Sequence, residues 1–305
     1  MNYMIRPSAE IHGKLLIGKG SLVSYGTVVD GQDGDVVLSN NSYILENSYV
    51  KGTKEYPVRI GQKTVFGHRC QIIGATIGNC CEIGNGTIFE EGVVMGDFCI
   101  TGESTYIPKG SVIPSNSVVI GNPYRILREL TEEDRQMIAR MRGNNLELVE
   151  EELFEVEDFQ EKHKIQTLVP YGDKMPKVGD SVLEEEVEII GDVTIGDHCR
   201  IKKGAKLIGD SHGSVTLGDH IVIGEDSVVH LLPDNDVYIH DHVEVGKNCI
   251  IHGCVLEERV HIEEGSNICD NARIGRGTRV EKDSLVPQRR EIGPGLVVSG
   301  SPAKE

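Results

Sequence analysis

Along most of the chain, an aliphatic or aromatic residue followed by glycine recurs about every six positions. Ile60-Gly61 is followed by Phe66-Gly67, then Ile77-Gly78, Ile83-Gly84, Phe89 and Met95-Gly96. The second half carries Ile195-Gly196, Leu217-Gly218, Ile223-Gly224, Val245-Gly246 and Ile274-Gly275. A period near six fits neither an amphipathic helix nor a single alternating strand. It fits a coil with three short flat faces per turn, each face turning one aliphatic side chain inward. Gly or Asn near each corner takes backbone angles that a Cβ penalises. Each turn stacks on the next, so the core is a column of aliphatic layers.

A longer repeat lies above the short one. At one constant offset the halves superpose without a gap, from Leu38 on Leu217 to Pro123 on Pro302. Within that block His68 falls on Lys247, Gly74 on Gly253 and Gly121 on Gly300. Before the block the offset is shorter by one, with Ile17-Gly18 on Ile195-Gly196. The pattern predicts an all-β solenoid duplicated in tandem, with a first β-helix at 1–130, a helical and extended linker at 131–180 and a second β-helix at 181–305.

The linker has a different character. Thr131 followed by Glu132-Glu133-Asp134 predicts a helix start, a cap followed by acids in the first turn. Met137, Ile138 and Met141 follow at helical spacing, and Gly143-Asn144-Asn145 is a break. Leu146 to Lys164 is acidic and punctuated by Leu148, Val149, Leu153, Phe154, Val156 and Phe159. It reads as a helix packed on a β-helix face or on a neighbouring subunit. Val169 to Gly179, with Pro170 and Pro176, reads as an extended connector.

Composition narrows the function classes. The 305 residues hold 31 Lys+Arg against 48 Asp+Glu, a formal net charge of −17, which argues against nucleic acid and anionic membranes as partners. Aromatics are 5% with no Trp, against 36 Gly, as thin aliphatic layers and many corners require. No apolar stretch approaches the roughly 20 residues that span a bilayer, and Met1 to Glu10 lacks the apolar core of a signal peptide. A cytoplasmic location is the expectation. None of the eight cysteines forms a C-x-x-C pair, and most lie among aliphatic residues. Buried, reduced thiols are expected.

The Gly67-His68 pair and the His252-Gly253-Cys254 triplet carry a family resemblance. They resemble the motifs of the γ-class carbonic anhydrases and their relatives among the hexapeptide acyltransferases. The resemblance implies a left-handed parallel β-helix in each copy and assembly as a homotrimer. It also implies a metal, usually zinc, held by three histidines at a subunit contact. The first histidine ends a "Q-D-x-x-V-x-H" strand, the second follows at a spacing of 17 and the third five beyond. The first copy reads Lys51, His68 and Ile73 at these positions, and the second reads His230, Lys247 and His252.

Each copy lacks what the other has. In the family the middle histidine comes from the neighbouring subunit. A contact between the copies would therefore assemble a zinc site from His68, His230 and His252, with a fourth position open for water. If like copies instead stack in layers, one layer offers Lys51, His68 and Ile73 and the other His230, Lys247 and His252. The histidines would then be inherited positions that only pack. The family's "R-G-D" segment reads Asp30-Gly31-Gln32 and Ile208-Gly209-Asp210, and its Gln near the metal-bound water reads Leu45 and Gly224.

Three functions follow. One is zinc-dependent hydration of carbon dioxide, or a descendant of that chemistry. Another is transfer of an acyl group from a CoA thioester to a small-molecule substrate, with His68 or His252 as the general base. The last is a trimeric scaffold without catalysis. Of the remaining histidines, His240 and His242 lie two apart on a predicted strand, where they face one side as a solvent-exposed pair or a weak metal site. His261 lies near the same turns, and His198, His212 and His220 read as turn residues.

Overall fold

The computed structural model describes residues 2–161, 165–210 and 213–305. Among the described residues the chain is a left-handed β-solenoid with one short helix. It divides into two compact units, Met1–Lys164 and Ile165–Glu305.

The second unit is the simpler. Three seven-stranded parallel sheets form its faces. They begin at Leu168–Val169, Lys177–Val178 and Val182–Leu183 and end at Leu285–Val286, Glu291–Ile292 and Val297–Val298. Val229 pairs with Ile251, and Ile251 in turn pairs with Ile268. The first of these turns is longer than the second, so the length of a turn varies with what its corners carry. Val229, Ile251 and Ile268 all point into one aliphatic column.

In the first unit, parallel strands from Met4–Ile5 to Ser117–Ile120 form one face, which the antiparallel strand Arg125–Glu129 extends. The other two faces merge because Val28–Leu38 runs around a corner. Its start pairs with Tyr49 to Lys51 and its end with Val58 to Ile60. Gly31 sits where turns touch: a Cβ there would lie 2.1 Å from the Lys14 carbonyl oxygen. The aliphatic column includes Ile44, Phe66 and Ile83, stacked in direct register.

All eight cysteines are buried thiols outside any disulfide, as expected. Burial pushes the Cys70 thiol up to about 12 and raises Cys254 as well. Thiolate is the reactive form, so a disulfide reagent at about pH 8 should leave Cys70 and Cys254 unlabelled until denaturant unfolds the chain. Labelling of either under native conditions would contradict this packing.

The helix spans Glu132–Met141. The Thr131 hydroxyl accepts from the Asp134 N–H, and the Asp134 carboxylate accepts from the Thr131 N–H at 2.8 Å. The Arg128 guanidinium beside Asp134, with these cap bonds, holds that carboxyl down at about 2. A carboxyl depressed by folding stabilises above its unfolded pKa of 3.8 and loses that contribution as pH falls through its folded value. The stability difference between wild type and Asp134→Asn should therefore be full above about pH 4 and fade towards pH 2.

The helix expected over Leu146 to Lys164 does not form among the described residues. Leu153–Glu157 is a strand paired antiparallel to Glu10–Gly18. The side chains explain the correction. Phe154 and Val156 alternate with Glu155 and Glu157, the period of a strand. Phe154, Val156 and Phe159 pack on the first unit's core, while Glu155 meets Lys14 at 2.6 Å. Upstream, the chain runs as a strap along one corner. Gln62 exchanges two hydrogen bonds with the Val149 backbone, at 2.8 and 3.1 Å. Asn40 bonds to the backbone of Glu150 and Glu152, and Lys19 pairs with Glu152 at 2.9 Å. Residues 162–164 of the expected helix lie outside the described residues. Val169 to Gly179 is not the simple extended connector expected: it folds back in a turn closed by Tyr171 and Lys174 and already carries the first strands of the second unit. Among the described residues, no helix is long and apolar enough to cross a membrane.

Candidate functional site

In the second unit, His230 and His252 end the strands Val228–His230 and Ile250–His252 and pair in direct register. Val229 and Ile251 point into the core, so strand alternation turns both histidines to the opposite face. Their ring centroids lie 5.3 Å apart, edge to face at 84°. Asp210 Oδ1 lies 3.0 Å from His230 Nε2, and Asp270 Oδ1 lies 2.8 Å from His252 Nδ1. Asn235 also donates to Asp270 Oδ1, at 3.1 Å. Burial pushes the Asp270 carboxyl up, but the hydrogen bonds from His252 and Asn235 and the nearby His252 charge outweigh it. Its pKa stands below the usual value, so it is a carboxylate at neutral pH.

In the first unit, His68 stands at the corner after Val65–Phe66, with its backbone N–H donated to Asn85 Oδ1 at 2.8 Å. Its side chain is 1% exposed, and Nδ1 meets Glu46 Oε2 at 2.7 Å. Ser24 donates to the other Glu46 oxygen at 2.5 Å. Each of the three rings thus directs one nitrogen at a carboxylate, and each can offer one ring nitrogen to a metal. A carboxylate behind the imidazole fixes which nitrogen carries the proton and raises the basicity of the other.

The substituted positions do different work. Lys51, where the first copy lacks histidine, pairs with Asp30 at 2.8 Å and Asp33 at 3.5 Å. The Asp30 hydrogen bond raises the Lys51 pKa above its ordinary value, so the ammonium keeps its proton and has no lone pair to give. Lys247 pairs with Glu264 at 3.3 Å and is exposed. Ile73 is hydrocarbon and offers no donor.

Glu46, Asp270 and Asn235 were not singled out from the sequence, and Asp210 entered only as the last residue of the altered "R-G-D" segment. Three of the links follow from the coil. Glu46 precedes His68, Asp210 precedes His230 and Asp270 follows His252, each by about one turn. Of the remaining histidines, His198, His220 and His242 all occupy corners with positive φ. The ring of His242 packs on that of His220, one turn away, and not on that of its sequence neighbour His240. His261 meets Glu244 at 3.1 Å. His212 lies outside the described residues.

No family model matches the chain. The chain is 38% identical to a probable carbonic anhydrase of Methanocaldococcus jannaschii over 137 residues, 45% of this chain and 86% of that protein. It is 36% identical to the carbonic anhydrase of Geobacillus kaustophilus over 137 residues, 45% of this chain and 75% of that protein. It is 29% identical to the mitochondrial gamma carbonic anhydrase 2 of Arabidopsis thaliana over 152 residues, 48% of this chain and 55% of that protein. The chain thus spans about half the length of the plant relatives it matches. It belongs to the superfamily of the γ-carbonic anhydrases and hexapeptide-repeat transferases, on the carbonic-anhydrase-like side.

Proposed function

We propose that the protein binds one zinc ion through His68, His230 and His252 and uses it to hydrate carbon dioxide. The observation that carries this reading is the donor chemistry. Three imidazoles have a carboxylate behind one nitrogen each: Glu46, Asp210 and Asp270. Three histidine ligands with an open position are the donor set of a catalytic zinc. Zinc bound there supplies Lewis acidity, which lowers the pKa of a water to about 7.

The chain's own residues prepare that site. Asp270 holds a proton on Nδ1 of His252, which leaves the lone pair on Nε2, and the Glu46 carboxylate lies 2.7 Å from Nδ1 of His68. Asp210 does the reverse at His230, holding the proton on Nε2. Asn235 keeps the Asp270 carboxylate turned towards His252. The first copy supplies the middle ligand and the second the outer two, within a homotrimer of the family type. The interface Arg and the Gln beside the water have no counterpart here. A hydration rate below that of a relative with both residues is therefore expected.

Stopped-flow measurement of carbon dioxide hydration on untagged, zinc-loaded protein tests the activity. The rate should exceed the buffer rate, vanish with a chelator and in His252→Ala, and return when zinc is restored to wild type. A zinc-loaded wild type at the buffer rate would overturn the activity. Saturable binding of a CoA thioester would move the assignment to acyl transfer.

A further inference from the structure

We propose that the neighbouring pairs His198–His220 and His220–His242 form a second, two-histidine metal site, on the surface of the second unit, for a divalent ion of the nickel, copper and zinc class. The three residues occupy one corner of three consecutive turns. They follow the strands Val193–Ile195, Val215–Leu217 and Val237–Ile239. His230 and His252 end strands of a different sheet. The corner rings stack as a column, with centroids 5.0 Å apart between His198 and His220 and 4.8 Å apart between His220 and His242. All three are exposed.

The fold does not ask for imidazole at these corners. It asks for a left-handed backbone, and the three residues have φ of 59°, 57° and 59°. The duplication supplies an internal control. At the same corners of the first copy stand Gly20, Asn41 and Lys63, with φ of 74°, 56° and 57°. Glycine, asparagine and lysine therefore satisfy the same turn. The two copies also differ in cover. In the first, the strap lies along this corner, with Lys63 Nζ donating to the Asn145 carbonyl at 2.7 Å. In the second, the histidines remain exposed.

A carboxylate rail runs beside the rings. Asp197, Asp219 and Asp241 each precede one of the histidines. Their Oδ1 atoms accept the backbone N–H of Asp180, Asp197 and Asp219, one turn back, at 2.7, 2.8 and 2.9 Å. These bonds fix the carboxylates and leave a negative charge at every step of the column. Neutral imidazole is the preferred side chain of borderline divalent ions. Rings spaced by one turn, on exposed side chains that rotate, bring two nitrogens to one ion at about 2.1 Å each. A net charge of −17 raises the local concentration of cations.

The test is calorimetric titration of Ni2+ into untagged, full-length protein already loaded with one equivalent of zinc. Wild type should show a class of Ni2+ sites. His220→Asn, which removes the ring shared by both stacked pairs and installs the residue the first copy uses, should lose that class. Its melting temperature should not change. His242→Asn, which removes one pair, should weaken it. His240→Asn and His230→Ala should leave it intact, which separates this column from the proposed zinc centre. Wild type without Ni2+ sites beyond the zinc, or equal Ni2+ binding by His220→Asn and wild type, overturns the proposal.

Discussion

Phe66→Ala lowers the unfolding free energy of the first unit by about 3–5 kcal/mol, as large-to-small changes in a close-packed column do. Phe66 is fully buried, with Ile44 and Ile83 as its register partners in the adjacent turns. Its ring meets that of Phe89 edge-on, with centroids 6.0 Å apart. The second copy carries Val245 and Ile268 at the equivalent positions, so the first copy fills two adjacent layers with aromatic rings where the second uses aliphatic side chains. In a solenoid each turn contacts only its neighbours, so the cavity cannot be closed by a distant rearrangement. Denaturant titration checks the value. A loss below about 1 kcal/mol would mean that the layer collapses around the gap. Phe66→Leu, which keeps most of the volume, should recover most of the loss.

Removing the carboxylates behind the histidines should weaken zinc binding by about 10- to 100-fold each, the usual effect of losing an outer partner. Glu46→Ala and Asp270→Ala are the variants of choice. Each takes away the carboxylate at 2.7 or 2.8 Å from a ring nitrogen. At His68 the consequence is larger, because the ring is buried and water cannot replace the carboxylate 2.7 Å from Nδ1. Asp30→Ala is the control. Asp30 pairs with Lys51 at the degenerate position, and its loss should leave zinc affinity unchanged. Competition with a chromogenic chelator measures all three. Affinities of Glu46→Ala and Asp270→Ala within twofold of wild type would remove these carboxylates from the account.

The solenoid was legible because the hexapeptide period and the long offset both survive in single residues such as Ile83-Gly84 and Gly121. The histidine set was legible because its spacing, 17 and then five, is carried within one copy. The strap was not. Acidic residues with scattered apolar positions fit a helix loosely, and the alternation that marks a strand is confined to Phe154 and Val156. The carboxylates behind the three histidines were hidden for another reason. Turns differ in length, as the steps from Val229 to Ile251 and from Ile251 to Ile268 show, so the residue above a given histidine cannot be counted out in advance. Glu46 and Asp270 became neighbours of His68 and His252 only once the strands were in register. The same uncertainty hid the histidine column. In the sequence His198 and His220 look like turn residues and His242 like half of a pair with His240, and their even spacing becomes contact only through stacking.

The central claim is that two incomplete copies share one metal site. Zinc content by mass spectrometry, on untagged protein supplied with excess zinc and then desalted, tests it most directly. The account predicts one tightly held zinc per chain in wild type and its loss in both His68→Ala and His230→Ala, although these residues belong to different copies. A folded wild type without zinc, or zinc retained in His68→Ala, would contradict it.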